Sequence, residues 1–342
     1  MCHVRNVLRR GKGSEGKPGQ QKEPRAVERF VKAGRIGKME IRKVGLIGRG
    51  AVGVLYGSLL MDKLGRERVC MIGDKERVTR YQSEPVTLNG RVCDFNYVSD
   101  PGEFGEVDLL LIAVKYPALL EALESVKGFV GDHTVVLSLL NGITSEEITE
   151  DYLKKGIVLH SIAQLMDSVK SGQEVTYTRT GEIVIGTPDE NKKPQLEMTA
   201  SFFRETGISH HVAEDIIHEQ WSKLMLNCGI NQICAVYDVP YRGCQTGGPY
   251  RQLFRDVMEE VRRIASLEGI VLGEDEVERW MTAMDGLAAD AMPSMRQDML
   301  AGNKTEVDLF SRTMMELAKK HKTKAPMNEE LYDKIKKLEA AF

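Results

Sequence analysis

Short, uninterrupted apolar runs alternate with stretches of helical periodicity over the first two thirds of the chain. Residues 41–47 read as a buried strand, followed by a glycine turn and a helix over 51–64. Residues 68–72 read as a second strand, and 107–114, 134–140 and 156–165 as three more. Runs without polar alternation suit parallel strands, which helices cover on both faces. Residues 119–126 carry a helical period between two of them. Residues 86–98, centred on Asn89-Gly90, predict a hairpin, and residues 175–185, turning near Thr180-Gly181, a second one. Past residue 210 only helical periodicity remains, over 214–236, 249–268, 274–289, 294–301, 304–320 and 327–340. Gly269, Pro293, Gly302 and Pro326 punctuate it. The pattern predicts an α/β chain with a doubly wound sheet over 39–210 and an all-helical carboxyl-terminal domain over 211–342.

Residues 1–38 fit neither part. Few of them are large and apolar, and residues 1–40 carry eleven Lys/Arg against four Glu, a local charge of +7. Such a segment cannot bury enough surface to fold alone. It reads as a disordered basic extension upstream of Met39-Glu40-Ile41, with no apolar core for a secretory signal. The whole chain of 342 residues has a formal charge of −3, which gives no reason to expect nucleic acid as a partner. No apolar run reaches membrane-spanning length. The six cysteines form no CxxC pair and no metal-like cluster, so they read as small buried hydrophobes in a reducing cytoplasm, with no metal expected.

Gly48-Arg49-Gly50-Ala51-Val52-Gly53 follows a predicted strand and opens a predicted helix, the context in which a GxGxxG motif binds a dinucleotide. The first glycine allows a tight turn, the second lets backbone amides approach the pyrophosphate, and the third lets helix and strand pack closely. The sheet is therefore expected to be of Rossmann type. Asp74 closes the second strand, where an acid can accept bonds from the adenosine ribose and favours NAD(H). Lys75, Arg77 and Arg80 follow at once and could instead meet the 2′-phosphate of NADP(H), so the residues leave both cofactors open. Lys115 and Asn141-Gly142 follow two further strands at the carboxyl ends, where such sheets bind ligands.

The first long distal helix carries Lys223, Asn227 and Asn231 at intervals of four, a cation and two amides on one face of an otherwise oily segment. Buried polar groups need partners, and a carbonyl, a carboxylate and a hydroxyl would supply them. A fixed ammonium beside a ketone oxygen polarises the carbonyl and can then give it a proton. Ser294-Met295-Arg296-Gln297 has the form of a helix capping box, so Ser294 either caps a helix, binds substrate, or does both. Glu306 could pair with Lys304 or Lys319 on the surface.

These pieces together resemble the ketopantoate reductase (2-dehydropantoate 2-reductase) family from about Met39 to the carboxyl terminus. They are Gly48-x-Gly50-x-x-Gly53, Val114-Lys115, Asn141-Gly142, Trp221-x-Lys223-Leu224-x-x-Asn227-x-x-x-Asn231, and Ser294-Met295-x-x-Asp298-x-x-x-Gly302-x-x-Thr305-Glu306. The resemblance implies a cleft between a Rossmann domain and a helical domain. There 2-dehydropantoate would be reduced to (R)-pantoate with NADPH, a step toward pantothenate. It also implies that Lys223 donates the proton, that Asn227, Asn231 and Ser294 hold substrate, and that Lys115, Asn141 and Glu306 contact cofactor or brace the site. Four departures stand out. The family carries Arg where Asp74 stands and Asn where Tyr241 stands. Ala291-Met292-Pro293 replaces a more polar stretch, and Asn303-Lys304 follows Gly302. They leave open a different 2-ketoacid, another hydroxyacid dehydrogenase on the same plan, or a dinucleotide-binding regulatory protein without turnover. The expected partner is a small 2-ketoacid, with neither membrane nor nucleic acid, and a homodimer is left open.

Overall fold

The computed structural model describes residues 40–342. The basic extension, residues 1–38, and Cys2 lie outside the described residues. In chain order the elements of the first part are β1 (Val44–Ile47), α1 (Ala51–Leu64), β2 (Val69–Ile72), α2 (Lys75–Ser83), β3 (Thr87–Leu88), β4 (Arg91–Val92), β5 (Tyr97–Val98), α3 (Pro101–Phe104) and β6 (Val107–Ile112). There follow α4 (Leu119–Val126), β7 (Val130–Ser138), α5 (Ser145–Leu153), β8 (Ile157–Met166), β9 (Val169–Ser171), β10 (Glu174–Thr176), β11 (Thr180–Gly186), α6 (Lys193–Thr206) and β12 (His210–Val212). Beyond Val212 the described residues form helices only: α7 (Ile216–Val236), α8 (Arg251–Leu267), α9 (Glu274–Asp285), α10 (Ser294–Leu300), α11 (Ser311–Lys320) and α12 (Pro326–Glu339), with short 3-10 turns between some of them.

Eight strands form one sheet in the order β12-β11-β8-β7-β6-β1-β2-β5, parallel throughout except where β11 runs against β8. The apolar runs split by parity, as a period of two requires. Leu109 and Leu111 join the core under α1 and α6, while Leu110 and Ile112 join the core under α4. Strand β1 begins at Val44 rather than Ile41, because the amides of Arg42 and Lys43 both donate to Asp108 Oδ2 at 2.8 Å instead of to a neighbouring strand.

Both predicted hairpins need correction. Asn89-Gly90 does turn β3 into β4, with Asn89 at φ +47° and Gly90 at +78°. Tyr97-Val98, however, leaves that hairpin and pairs in parallel with β2. Residues 175–185 form no hairpin. Strand β10 turns back on β9 and lies beside β3 in a separate four-stranded sheet, whereas β11 pairs with β8. Local turn residues cannot tell which long-range partner a short strand will find.

Helix α7 is buried almost all round, as a helix at the centre of a layer must be. It packs on α8, α10 and α12, and against β8 and β11. Asp215 caps it by accepting the His218 amide at 3.0 Å. Its buried polar side chains off the site face are satisfied: Ser222 accepts from Trp280 Nε1 at 3.0 Å, and Gln232 donates to the Cys228 carbonyl at 2.7 Å. The five described cysteines are buried free thiols. Among the described residues no helix is long and apolar enough to cross a membrane.

Candidate active site

Strand order reverses between β1 and β6, and ligands of open α/β sheets bind outside the carboxyl ends of strands at such a point. Strands β1, β6, β7 and β8 are parallel, so their carboxyl ends share one edge. The glycine turn closes β1 there. Gly48 sits at φ +108°, and a Cβ on it would lie 2.3 Å from the Ala113 carbonyl oxygen. On Gly53 a Cβ would lie 1.9 Å from the Gly48 oxygen. Gly50 differs: its Cβ would meet nothing nearer than 3.9 Å, and it is the N-cap of α1 with no side chain capping the helix. First-turn amides beside an open face fit a pyrophosphate. Ala51 and Val52 pack on the sheet core from this turn.

The Arg49 side chain is committed elsewhere. Only 5% exposed, it lies over the Tyr81 ring at 4.2 Å and donates to the Tyr81 carbonyl at 3.1 Å and to Gln173 Oε1. The motif therefore offers a ligand the Arg49 backbone rather than its guanidinium. The Arg49 carbonyl accepts from Lys170 Nζ at 2.8 Å, from the small second sheet. Burial pushes the Lys170 pKa down, and the charges of Arg49 and Arg80 push it the same way. Lys170 has no sequence signal, because only the second sheet brings it to the glycine turn.

Asp74 caps α2, accepting the Arg77 amide at 2.7 Å and Arg77 Nη1 at 3.0 Å. Arg77 also meets Glu121 at 2.8 Å. Asp74 thus has a structural task whether or not it meets a ribose.

On the same edge a chain of polar contacts links the ends of β6, β7 and β8 to the helical layer. Lys115 Nζ donates to Asp298 Oδ2 at 2.8 Å and lies 3.8 Å from Glu306 Oε2. Desolvation works against the Lys115 charge, but Glu306 and Asp298 outweigh it and hold the pKa above the ordinary lysine value. Glu306, buried, accepts from Asn141 Nδ2 at 3.2 Å. It pairs with neither Lys304 nor Lys319, the surface alternatives. Asn141 Oδ1 then accepts from Lys223 Nζ at 3.1 Å, and the same nitrogen donates to the Ala163 carbonyl at 2.7 Å. Burial pulls the Lys223 pKa down to about 8, with Glu306 opposing. An amine so held can exchange a proton near neutral pH.

Further along the same face of α7, Asn231 Nδ2 donates to Asn227 Oδ1 at 3.0 Å. Asn231 Oδ1 faces Ser294 Oγ and the Met295 amide, both at 3.4 Å. Ser294 does not cap α10; Pro293 holds the N-cap position, and Ser294 turns its hydroxyl to Asn231. The sequence-derived residues thus form two clusters, Lys115–Glu306–Asn141–Lys223 and Asn227–Asn231–Ser294, joined by one helix face. Sequence reasoning gave no role to Asp298 or to the Ala163 carbonyl, both of which hold the lysines in place.

The family description Ketopantoate reductase PanE/ApbA matches residues 44–190, and Ketopantoate reductase PanE/ApbA C terminal matches residues 215–339. The chain is 29% identical over 303 residues to the 2-dehydropantoate 2-reductase of Pyrococcus abyssi, covering 87% of this chain and 98% of that protein. The corresponding protein of Pyrococcus horikoshii is 28% identical over 302 residues, covering 87% and 98%. Among solved structures, a PanE/ApbA family ketopantoate reductase from Ralstonia eutropha JMP134 superposes with a TM-score of 0.74 at 26% identity, covering 87% of this chain and 99% of that one. D-mandelate dehydrogenase with NADH and anilino(oxo)acetate shares the fold at a TM-score of 0.78 and 22% identity, covering 87% and 98%. Matched across both its sheet and its helical layer, the chain belongs to the ketopantoate reductase family of NAD(P)-dependent oxidoreductases.

Proposed function

We propose that this protein reduces the ketone of a 2-ketoacid, with 2-dehydropantoate to (R)-pantoate as the leading reaction, and that Lys223 supplies the proton. The observation that carries the reading is the Lys223 ammonium: half-buried, held by two oxygens, and lowered by desolvation to a pKa of about 8. Lysine suits this task because burial shifts its pKa readily. Asn141 and the Ala163 carbonyl aim the nitrogen, and Glu306 keeps it charged. A ketone oxygen next to it gains a hydrogen bond that strengthens as negative charge develops. Asn227, Asn231 and Ser294 supply amide and hydroxyl groups for the rest of the acid. The bound nicotinamide would supply the hydride.

The dinucleotide would lie along the glycine turn, its pyrophosphate against Gly50 and the first amides of α1, with Lys115 and Asn141 toward the nicotinamide end. NADP(H) is proposed from the family and NAD(H) as the alternative, because Asp74 stands where a ribose hydroxyl would be met. The proposed division of labour gives residues 39–210 the cofactor and residues 211–342 the substrate groups. We place the enzyme in the cytoplasm, and the dimeric ketopantoate reductase of Staphylococcus aureus makes a homodimer the assembly to test.

One observation favours a second substrate. Tyr241 and Ala291, two positions that depart from the family pattern, meet directly: the Tyr241 amide donates to the Ala291 carbonyl at 2.9 Å, just ahead of Met292 and Ser294. The replacements lower the polarity of this stretch beside Ser294, and a less polar 2-ketoacid would suit it. Nicotinamide absorbance, followed with 2-dehydropantoate and with an aromatic 2-ketoacid, each with NADH and NADPH, decides among these readings. Turnover with neither acid overturns the proposal.

A further inference from the structure

The three elements that hold the Lys223 contact are tied together a second time, one step deeper in the protein. Gln220 precedes Lys223 on α7 by three residues, Ser138 precedes Asn141 by three, and Ser161 precedes Ala163 by two. All three meet around Glu146, in the first turn of α5 just after Asn141-Gly142. Glu146 Oε1 accepts from Gln220 Nε2 at 2.7 Å and faces the Ser161 amide at 3.4 Å. Its Oε2 accepts from Ser145 Oγ at 3.0 Å, and Ser138 Oγ donates to that hydroxyl at 2.8 Å. Ser161 Oγ donates to the Ser138 carbonyl at 2.6 Å. Gln220 Oε1 lies 2.9 Å from His160 Nδ1. Glu146, Gln220, Ser138, Ser145 and Ser161 are all buried.

A buried carboxylate is costly unless well supplied with donors, and breaking such a cluster leaves its members unpaired. Here the cost has a geometric consequence. Gln220 and Lys223 lie on one face of α7, one turn apart, so whatever holds the Gln220 amide also sets how far α7 is rotated and advanced toward Asn141 and Ala163. We propose that Glu146 is a positioning residue for Lys223, acting through Gln220 to hold the ammonium in register with its two acceptors. The inference rests on the reading of Lys223 as proton donor.

The test compares Glu146→Leu, Glu146→Gln and Gln220→Met with Lys223→Ala in the full chain. Glu146→Leu should lower kcat about 10- to 100-fold, the cost of misplacing a reacting group by about 1 Å. The KM for the dinucleotide should hold, and the alkaline limb of the kcat–pH profile should move to lower pH, because an ammonium released from its acceptors loses protonation sooner. Glu146→Gln, which keeps one acceptor for Gln220, should restore most of the loss, and Gln220→Met should reproduce it. A cluster that only stabilises the fold would lower the melting temperature while leaving kcat per folded molecule and the pH limb unchanged; that result overturns the inference. If Glu146→Leu does not fold, Gln220→Met decides on the same readouts. An active Lys223→Ala enzyme would overturn the proton-donor reading instead, so the two failures are distinguishable.

Discussion

Lys223 Nζ and Asn141 Oδ1 stand 3.1 Å apart across 82 residues of chain, the first on the central helix and the second at the end of a sheet strand. That contact joins the layer that would carry the substrate groups to the layer that would carry the dinucleotide. Lys223→Ala should therefore cut turnover by about 100-fold or more, the usual contribution of a positioned acid. The dinucleotide Kd should barely change, because the glycine turn is untouched. Steady-state rates and a fluorescence titration of NAD(P)H check the two halves separately.

The pH dependence has a definite sign. Only the ammonium form of Lys223 can donate, and its pKa is about 8, pulled down by burial and partly restored by Glu306. Ketone reduction should fall as pH rises through that value, while oxidation of the hydroxyacid, which needs the free amine, should rise. Glu306→Gln removes the charge that favours the ammonium, so the reductive limb should move to lower pH. A limb that stays in place would detach Glu306 from the titration of Lys223.

The sequence made this centre legible for a physical reason. A cation and two amides at intervals of four inside an oily helix must be satisfied by something, and only a ligand or a facing layer can do it. Glu146 gave no such signal. It sits in Ser145-Glu146-Glu147-Ile148-Thr149-Glu150-Asp151, an acidic stretch that reads as solvated, and it is buried only because β8 and α7 close over it. Lys170 was hidden likewise: its strand β9 makes a local hairpin with β10, and only the long-range pairing of β10 with β3 brings that hairpin to the glycine turn. Ser294 carried two readings, a cap or a substrate contact: its sequence has capping-box form, but Pro293 takes the cap position, and the hydroxyl meets Asn231.

Cofactor preference can be tested without damaging the fold. Asp74→Ala would confuse two effects, since losing the N-cap of α2 costs about 1 kcal/mol by itself. Asp74→Ser keeps a capping oxygen for the Arg77 amide and removes the charge. It should raise kcat/KM with NADPH relative to NADH, because Arg77 loses one of its two carboxylate partners, keeping Glu121, and the repulsion toward a 2′-phosphate disappears. A constant ratio between the cofactors would mean that Asp74 does no more than start a helix.

The glycine turn offers a sharper separation between folding and binding. A methyl group on Gly53 would lie 1.9 Å from the Gly48 carbonyl oxygen, a backbone atom that cannot yield without opening the turn. Gly53→Ala should lose about 1–3 kcal/mol or more of stability through overpacking, and dinucleotide affinity with it. Gly50 has an extended backbone, φ −78° and ψ −176°, that any residue adopts, and a methyl there meets no protein atom nearer than 3.9 Å. Gly50→Ala should therefore melt like the parent protein. Its methyl would nonetheless occupy the face where a pyrophosphate must approach the first amides of α1. Affinity for NAD(P)H should fall about tenfold or more, a loss of about 1.4 kcal/mol per decade. Paired melting curves and titrations of the two variants check this, and a Gly50→Ala protein that binds NAD(P)H normally would place the dinucleotide somewhere other than this turn.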